Sequence, residues 1–239
     1  MGRFGISLVA TLLLAAVASA QESGDRLDAV LSKIEQRMKS VESIYVEDCT
    51  RIDTDRTGTK VWKGELRFLK PNLFAISLVQ VQDRRIYEMM ISTGTYLYEY
   101  RPQFKKLVKH ELPPIDAAAI DSNLLSLALC RSAAEARKRY EMKITKDDPN
   151  AVYIELTPKA MEDKREFSKA ELVLDAKRLS PQRLRFEQPN GNTVEWRLPH
   201  FDTESKLEKR HFRPPPVPEG WETVEVPLPK DPPPRRPGQ

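Results

Sequence analysis

The chain has 239 residues, with 39 Lys and Arg against 35 Asp and Glu and a formal net charge of +4. That length can bury one substantial core without forcing a second domain. The weak positive charge is interleaved with acidic residues instead of gathered into a basic stripe with stacking aromatics, which excludes a nucleic-acid binder as the expected class.

The first residues read as an export signal. Arg3 precedes a nearly uncharged run over 4–17, and Ala18-Ser19-Ala20 offers the small residues that a signal peptidase needs. A membrane anchor is the alternative, but the apolar run is short for a bilayer span. Residue 21 is Gln, not Cys, so the usual lipid attachment site is absent. The expectation is a signal peptide over 1–20, cleaved after Ala20, and a soluble mature protein in the periplasm, with secretion as the alternative.

Leu27, Val30, Leu31, Ile34, Met38 and Val41 then recur at three- and four-residue intervals, the pattern of an amphipathic helix. Residues 44–52, 61–69, 73–81, 85–91 and 95–100 read as strands, with turns at 53–59, at Pro71-Asn72 and at Ser92-Thr93-Gly94. Tyr96, Tyr98 and Tyr100 alternate along one face. Pro113-Pro114 ends this region, 116–129 reads as a helix, and a second helical piece at 133–139 follows Ser132 as its cap. The period of two returns at Tyr140, with strands around Ile144, Ile154, Leu172, Phe186 and Trp196, and a further edge strand at 221–226. Ten of the 19 prolines fall between Pro214 and Pro237, so the last dozen residues should be extended or disordered.

Hairpin-length loops favour antiparallel neighbours, and an apolar sheet face needs a cover. The residues alone therefore give an α+β fold, a large curved sheet of about ten or eleven strands with helices over its mouth. They do not say whether the space beneath is packed or open. Cys49 and Cys130 are the only cysteines. In an exported protein they are disulfide candidates, and the closed loop would stabilise by about 4 kcal/mol in the chain-entropy model. Two buried thiols that never meet are the alternative.

Catalytic chemistry finds little support. His110, His200 and His211 occur in no metal-binding spacing, there is no GxSxG elbow or Gly-rich phosphate loop, and no carboxylates are placed as an acid/base pair. No metal and no cofactor is expected, and the chain does not read as an enzyme. Lys70, just before Pro71-Asn72-Leu73-Phe74, stands out as a charge where one strand turns into the next.

Leu66-Arg67-Phe68-Leu69-Lys70-Pro71-Asn72-Leu73-Phe74, Ser92-Thr93-Gly94-Thr95-Tyr96-Leu97-Tyr98-Glu99-Tyr100-Arg101-Pro102, Leu156-Thr157-Pro158-Lys159-Ala160, Gln188-Pro189-Asn190-Gly191-Asn192 and the stretch 212–220 share order and spacing with one family. Together they resemble the periplasmic outer-membrane lipoprotein carriers of the LolA type. The proline-rich tail is more similar to divergent planctomycete-type members.

The resemblance implies a half-open antiparallel barrel, a strongly curved sheet whose concave apolar face is covered by helices acting as a lid. It further implies a lipid-binding domain over 21–226 and a flexible basic tail over 227–239. Trp62, Leu66, Phe68, Phe74, Ile76, Met90, Tyr96 and Tyr98 would line the cavity, with Leu124, Leu125 and Leu127 on the lid. The family's latch arginine is replaced by Lys70, which has no planar donor fork. The function implied is a monomeric, non-enzymatic carrier that shelters acyl chains of lipoproteins or other lipids and meets membrane-associated donor or acceptor proteins. An envelope interaction or sensor module of the same fold, binding a protein partner or a lipidated signal, is the alternative. A lipid or glycan hydrolase is the remote one.

Overall fold

A computed structural model describes residues 7–113 and 132–228. In chain order the elements begin with helix α1 (Ser7–Ser40) and strands β1 (Ser43–Asp55), β2 (Gly58–Leu69), β3 (Leu73–Gln80), β4 (Tyr87–Ser92), β5 (Tyr96–Arg101) and β6 (Lys106–Glu111). Helix α2 (Ala133–Arg139), β7 (Tyr140–Asp147), β8 (Ala151–Pro158), helix α3 (Met161–Glu166), β9 (Lys169–Asp175) and β10 (Pro181–Glu187) follow. The chain continues through β11 (Thr193–Arg197), β12 (His200–Asp202), the 3-10 turn Lys209–Phe212 and β13 (Glu222–Val226).

The residues divide into two compact units. One comprises Met1–Ser40 and Ser126–Glu195, with strand order β7-β8-β9-β10-β11. Its antiparallel register aligns Met142 with Leu156, Leu156 with Ala170, and Ala170 with Phe186, all buried. Directly opposed partners share a face, so one side of this sheet is continuously apolar. The other side is charged: Glu155 accepts from Lys143 at 2.7 Å and also pairs with Lys169. In this unit α1 lies against β7 and α2, and its Leu27, Val30, Leu31 and Ile34 are buried. The three- and four-residue spacing of these side chains produces that stripe. Ser132 caps α2, its side chain accepting from Glu135 N, and Glu35 of α1 accepts from Ala133 N at 3.0 Å.

The other unit comprises Val41–Leu125 and Trp196–Gln239, with strand order β13-β6-β5-β4-β3-β2-β1 and β12 also paired to β1. All these pairs are antiparallel except β13, which runs parallel to β6. Close strand approach is built into β2: a Cβ at Gly64 would lie 1.8 Å from the Ser77 carbonyl oxygen. Leu73, Ala75, Ile91 and Phe212 form a buried cluster in which the segment after β12 packs on one sheet face.

The expectation of a half-open, strongly curved barrel of ten or eleven strands is corrected by this topology. Thirteen strands occur among the described residues, the order within each unit is open, and the sheet is not strongly curved. Barrel closure needs a consistent tilt and stagger across all strands, and local alternation encodes neither. Register shifts are isolated, at Val46/Cys49, Ile144/Lys146 and Pro181/Arg183. Strands β6 and β12 escaped the count because Lys106–Glu111 is rich in charge and His200–Asp202 is too short to show a period. The segment expected as a lid helix, with Leu124, Leu125 and Leu127, lies outside the described residues, as does Cys130.

Candidate functional site

Six of the eight residues expected to form an apolar wall share one face of the β1–β6 sheet. Leu66 is opposite Ile76, Phe68 opposite Phe74, and Ile76 opposite Met90. Trp62 lies on the same side of β2 as Leu66 and Phe68 by the two-residue period. Trp62, Leu66, Phe68 and Phe74 are buried, while Ile76 and Met90 are half-buried.

Tyr96 and Tyr98 do not join them. Tyr98 is opposite Ile91, and Ile91 neighbours Met90 in sequence, so both tyrosines belong to the other face. There the Lys109 ammonium sits 4.2 Å from the Tyr96 ring centre and Tyr98 meets Tyr96 edge-on. One residue of offset across the β4–β5 hairpin decides this, and no property of the tyrosine run reveals it.

The wall face also contains residues that sequence reasoning missed. Ile44 and Val46 of β1 are opposite Phe68 and Leu66 and are fully buried, as is Leu78 of β3. Their alternation is visible in the sequence, but their place beside β2 is not. After the bulge in β1, where Asp48 has a φ of 54°, Cys49 is opposite Gly64 and Arg51 is opposite Trp62. Cys49 is buried and makes no disulfide among the described residues. Burial, with the Glu65 charge, pushes its thiol up to about 11.

Arg51 organises a polar end to this face. Its guanidinium makes a two-pronged pair with Glu88, at 2.6 and 2.8 Å, and donates to Asp53 at 3.2 Å. It also lies 4.8 Å from the Trp62 ring centre and 5.7 Å from that of Trp196. Burial works against its charge, but the hydrogen bonds and charges of Glu88 and Asp53 outweigh it and hold the pKa above the ordinary value. Trp62 Nε1 donates to Asp53 at 2.9 Å, whereas the buried Trp196 Nε1 has no acceptor among the described residues.

The two turns carrying Lys70-Pro71-Asn72 and Thr93-Gly94 meet in space. Asn72 Nδ2 donates to the Gly94 carbonyl at 3.0 Å, and Ser92 Oγ donates to the Asn72 carbonyl at 2.9 Å. Gly94 has a φ of 89°, and a Cβ there would press to 3.0 Å from Asn72 Oδ1, so glycine suits this contact. Lys70 is part of the same turn, with its ammonium 3.9 Å from Glu42. The lid that Lys70 was expected to latch is outside the described residues.

Residues 50–215 match the family model described as outer membrane lipoprotein carrier protein LolA. The chain belongs to this family. Membership in the LolA family makes it a periplasmic protein, and the matched span contains both turns and all six wall residues of the shared face. The match stops before the proline-rich tail. No curated protein matches the chain.

Among solved structures it is similar to an uncharacterized conserved protein from Thermus thermophilus, with 13% identity and a TM-score of 0.48 over 87% of this chain and 99% of that one. A putative outer membrane lipoprotein-sorting protein domain from Vibrio parahaemolyticus has 14% identity and a TM-score of 0.38, over 75% and 94% of the two chains. The LolA superfamily protein NE2245 from Nitrosomonas europaea has 10% identity and a TM-score of 0.36, over 78% and 96%.

Proposed function

We propose that the protein is a non-enzymatic periplasmic binding protein that shelters acyl chains of lipoproteins or other lipids against the face bearing Trp62, Leu66, Phe68, Phe74, Ile76 and Met90. The observation that carries this reading is the gathering of these six side chains from three strands onto one face, within a chain of the LolA family. The Arg51, Glu88 and Trp196 cluster gives that face a polar end suited to the ester or amide head of an acylated cargo. Trp196 Nε1 supplies a donor there that is unmet among the described residues.

Removing acyl chains from water is worth about 0.8 kcal/mol per methylene, so a few dozen methylenes would bind too tightly for a carrier unless something costs energy on opening. In the same reading Leu124, Leu125 and Leu127 form that movable cover, Lys70 latches it, and a membrane-associated protein gives or receives the cargo. The mature chain starts at Gln21, with residues 227–239 as a tail beyond the binding domain.

The test is uptake of a fluorescent fatty-acid probe by the purified protein. Leu66→Glu and the half-buried Met90→Glu should each abolish uptake, while Tyr98→Phe on the opposite face should leave it unchanged. A well-folded wild-type protein that takes up no probe would overturn the reading, as would equal uptake by a folded Met90→Glu variant.

A further inference from the structure

At the ends of β2 and β4, a cleft of about 380 Å³ opens between the two joined turns and the segment 209–214. Three cations line it, Lys70, Lys209 and Arg213, and none of the described lining residues carries a carboxylate. Lys70 also faces Glu42, its ammonium 3.9 Å from that carboxylate, which is not among the lining residues. Lys209 and Arg213 make no ion pair among the described residues, although both stand on a chain segment anchored by the buried Phe212.

The anchoring keeps the chain segment that carries the two cations beside the cleft. Phe212 packs with Leu73, Ala75 and Ile91, and Leu73 and Phe212 also form the apolar side of the cleft. Opposite them the floor is fixed by the Asn72–Gly94 and Ser92–Asn72 hydrogen bonds, with Thr93 Oγ1 tied to the Tyr96 backbone at 3.3 Å. Cations of one sign around a concave site raise the local concentration of anions.

We propose that this cleft binds a phosphate group carried on a small alcohol. A phosphate has enough acceptor oxygens for three separate cations, and an arginine and two lysines are well matched to it. The cleft is larger than a bare ion requires, and its Leu73 and Phe212 side accommodates a glycerol-like substituent. The same chemistry is offered by the headgroup of an anionic phospholipid and by soluble phosphate. The site lies with the face opposite Leu66 and Met90, and it does not depend on the acyl-chain reading.

The probes are inorganic phosphate and sn-glycero-3-phosphoglycerol, the deacylated headgroup of phosphatidylglycerol, neither of which carries an acyl chain. Calorimetric titration of the purified protein at low salt should detect binding of at least one, weakening as salt is raised. Lys209→Ala with Arg213→Ala should reduce the affinity about tenfold or more, since two charge-assisted contacts are lost. Tighter binding of the glycerophosphate diester assigns the site to a lipid headgroup, and tighter binding of inorganic phosphate assigns it to a soluble ligand. Both support the proposal. Absence of binding by either probe overturns it, as does unchanged affinity in the folded double variant. If that variant does not fold, amide shifts of Thr93, Gly94 and Thr95 in the wild-type protein decide: movement on titration supports the site and their silence overturns it. Fatty-probe uptake should be the same in wild type and double variant, which separates failure here from failure of the acyl-chain reading.

Discussion

Gly64 illustrates how one missing atom holds two strands together. A side chain there has nowhere to go, because the Ser77 carbonyl of β3 occupies the position a Cβ would take. Backbone would have to move along the whole β2–β3 ladder. Gly64→Ala should therefore cost about 3 kcal/mol, read as a shift in the urea midpoint with little change in slope. Cys49, opposite Gly64, makes a pH prediction. Burial raises its thiol from the ordinary 9.0 to about 11, so the folded state holds the proton more tightly than the unfolded state. The thiol's contribution to stability is full below about pH 9 and is lost as the pH rises towards about 11. Unfolding midpoints measured across that window should fall less steeply in Cys49→Ala. In the native protein at pH 8 the thiol should alkylate far more slowly than in urea.

At the scale of elements, the segment between β12 and β13 has the most to explain. It contains no long helix or strand, yet it fastens to the face of the β1–β6 sheet that bears Leu73 and Ile91. Phe212 is 2% exposed within the cluster there, Tyr100 Oη donates to the Pro215 carbonyl, and Tyr100 and Trp221 rings lie 6.3 Å apart. Burial pushes the Tyr100 hydroxyl up to about 12, as expected of a phenol withdrawn from water. Phe212→Ala should destabilise by about 3 to 4 kcal/mol through loss of transfer free energy and the cavity left behind. Tyr100→Phe, which removes a single hydrogen bond, should cost about 1 kcal/mol. Chemical denaturation of the two variants checks both, and a Phe212→Ala cost no larger than that of Tyr100→Phe would mean that the segment is only loosely attached. The prolines in this segment were legible as sheet breakers, but the anchoring was not, since Phe212 and Leu73 are far apart in the chain.

For the whole molecule, composition and family agree on where it works. Residues 1–20 have the charge, apolar run and small-residue end of an export signal, and the LolA family is periplasmic. Protein recovered from the periplasm should begin at Gln21, which intact-mass measurement would settle. A species retaining Arg3 in the soluble fraction would count against cleavage there. The near-balance of 39 basic and 35 acidic residues allows cross-strand pairs such as those at Glu155. The cleft at Lys209 and Arg213 has no carboxylate among its described lining residues.

Two-residue alternation, turn residues and motif spacing were sufficient by themselves to place most strands, the stripe of α1 and the capped start of α2, because each depends on neighbours a few positions away. They also located the Lys70-Pro71-Asn72 and Ser92-Thr93-Gly94 turns. Only tertiary structure decided that these turns bind one another, that Tyr96 and Tyr98 leave the face of Leu66, that Arg51 comes between Trp62 and Trp196, and that the strand order stays open. Those outcomes depend on register between distant strands, and a single bulge or a one-residue offset reverses a face without changing the local pattern.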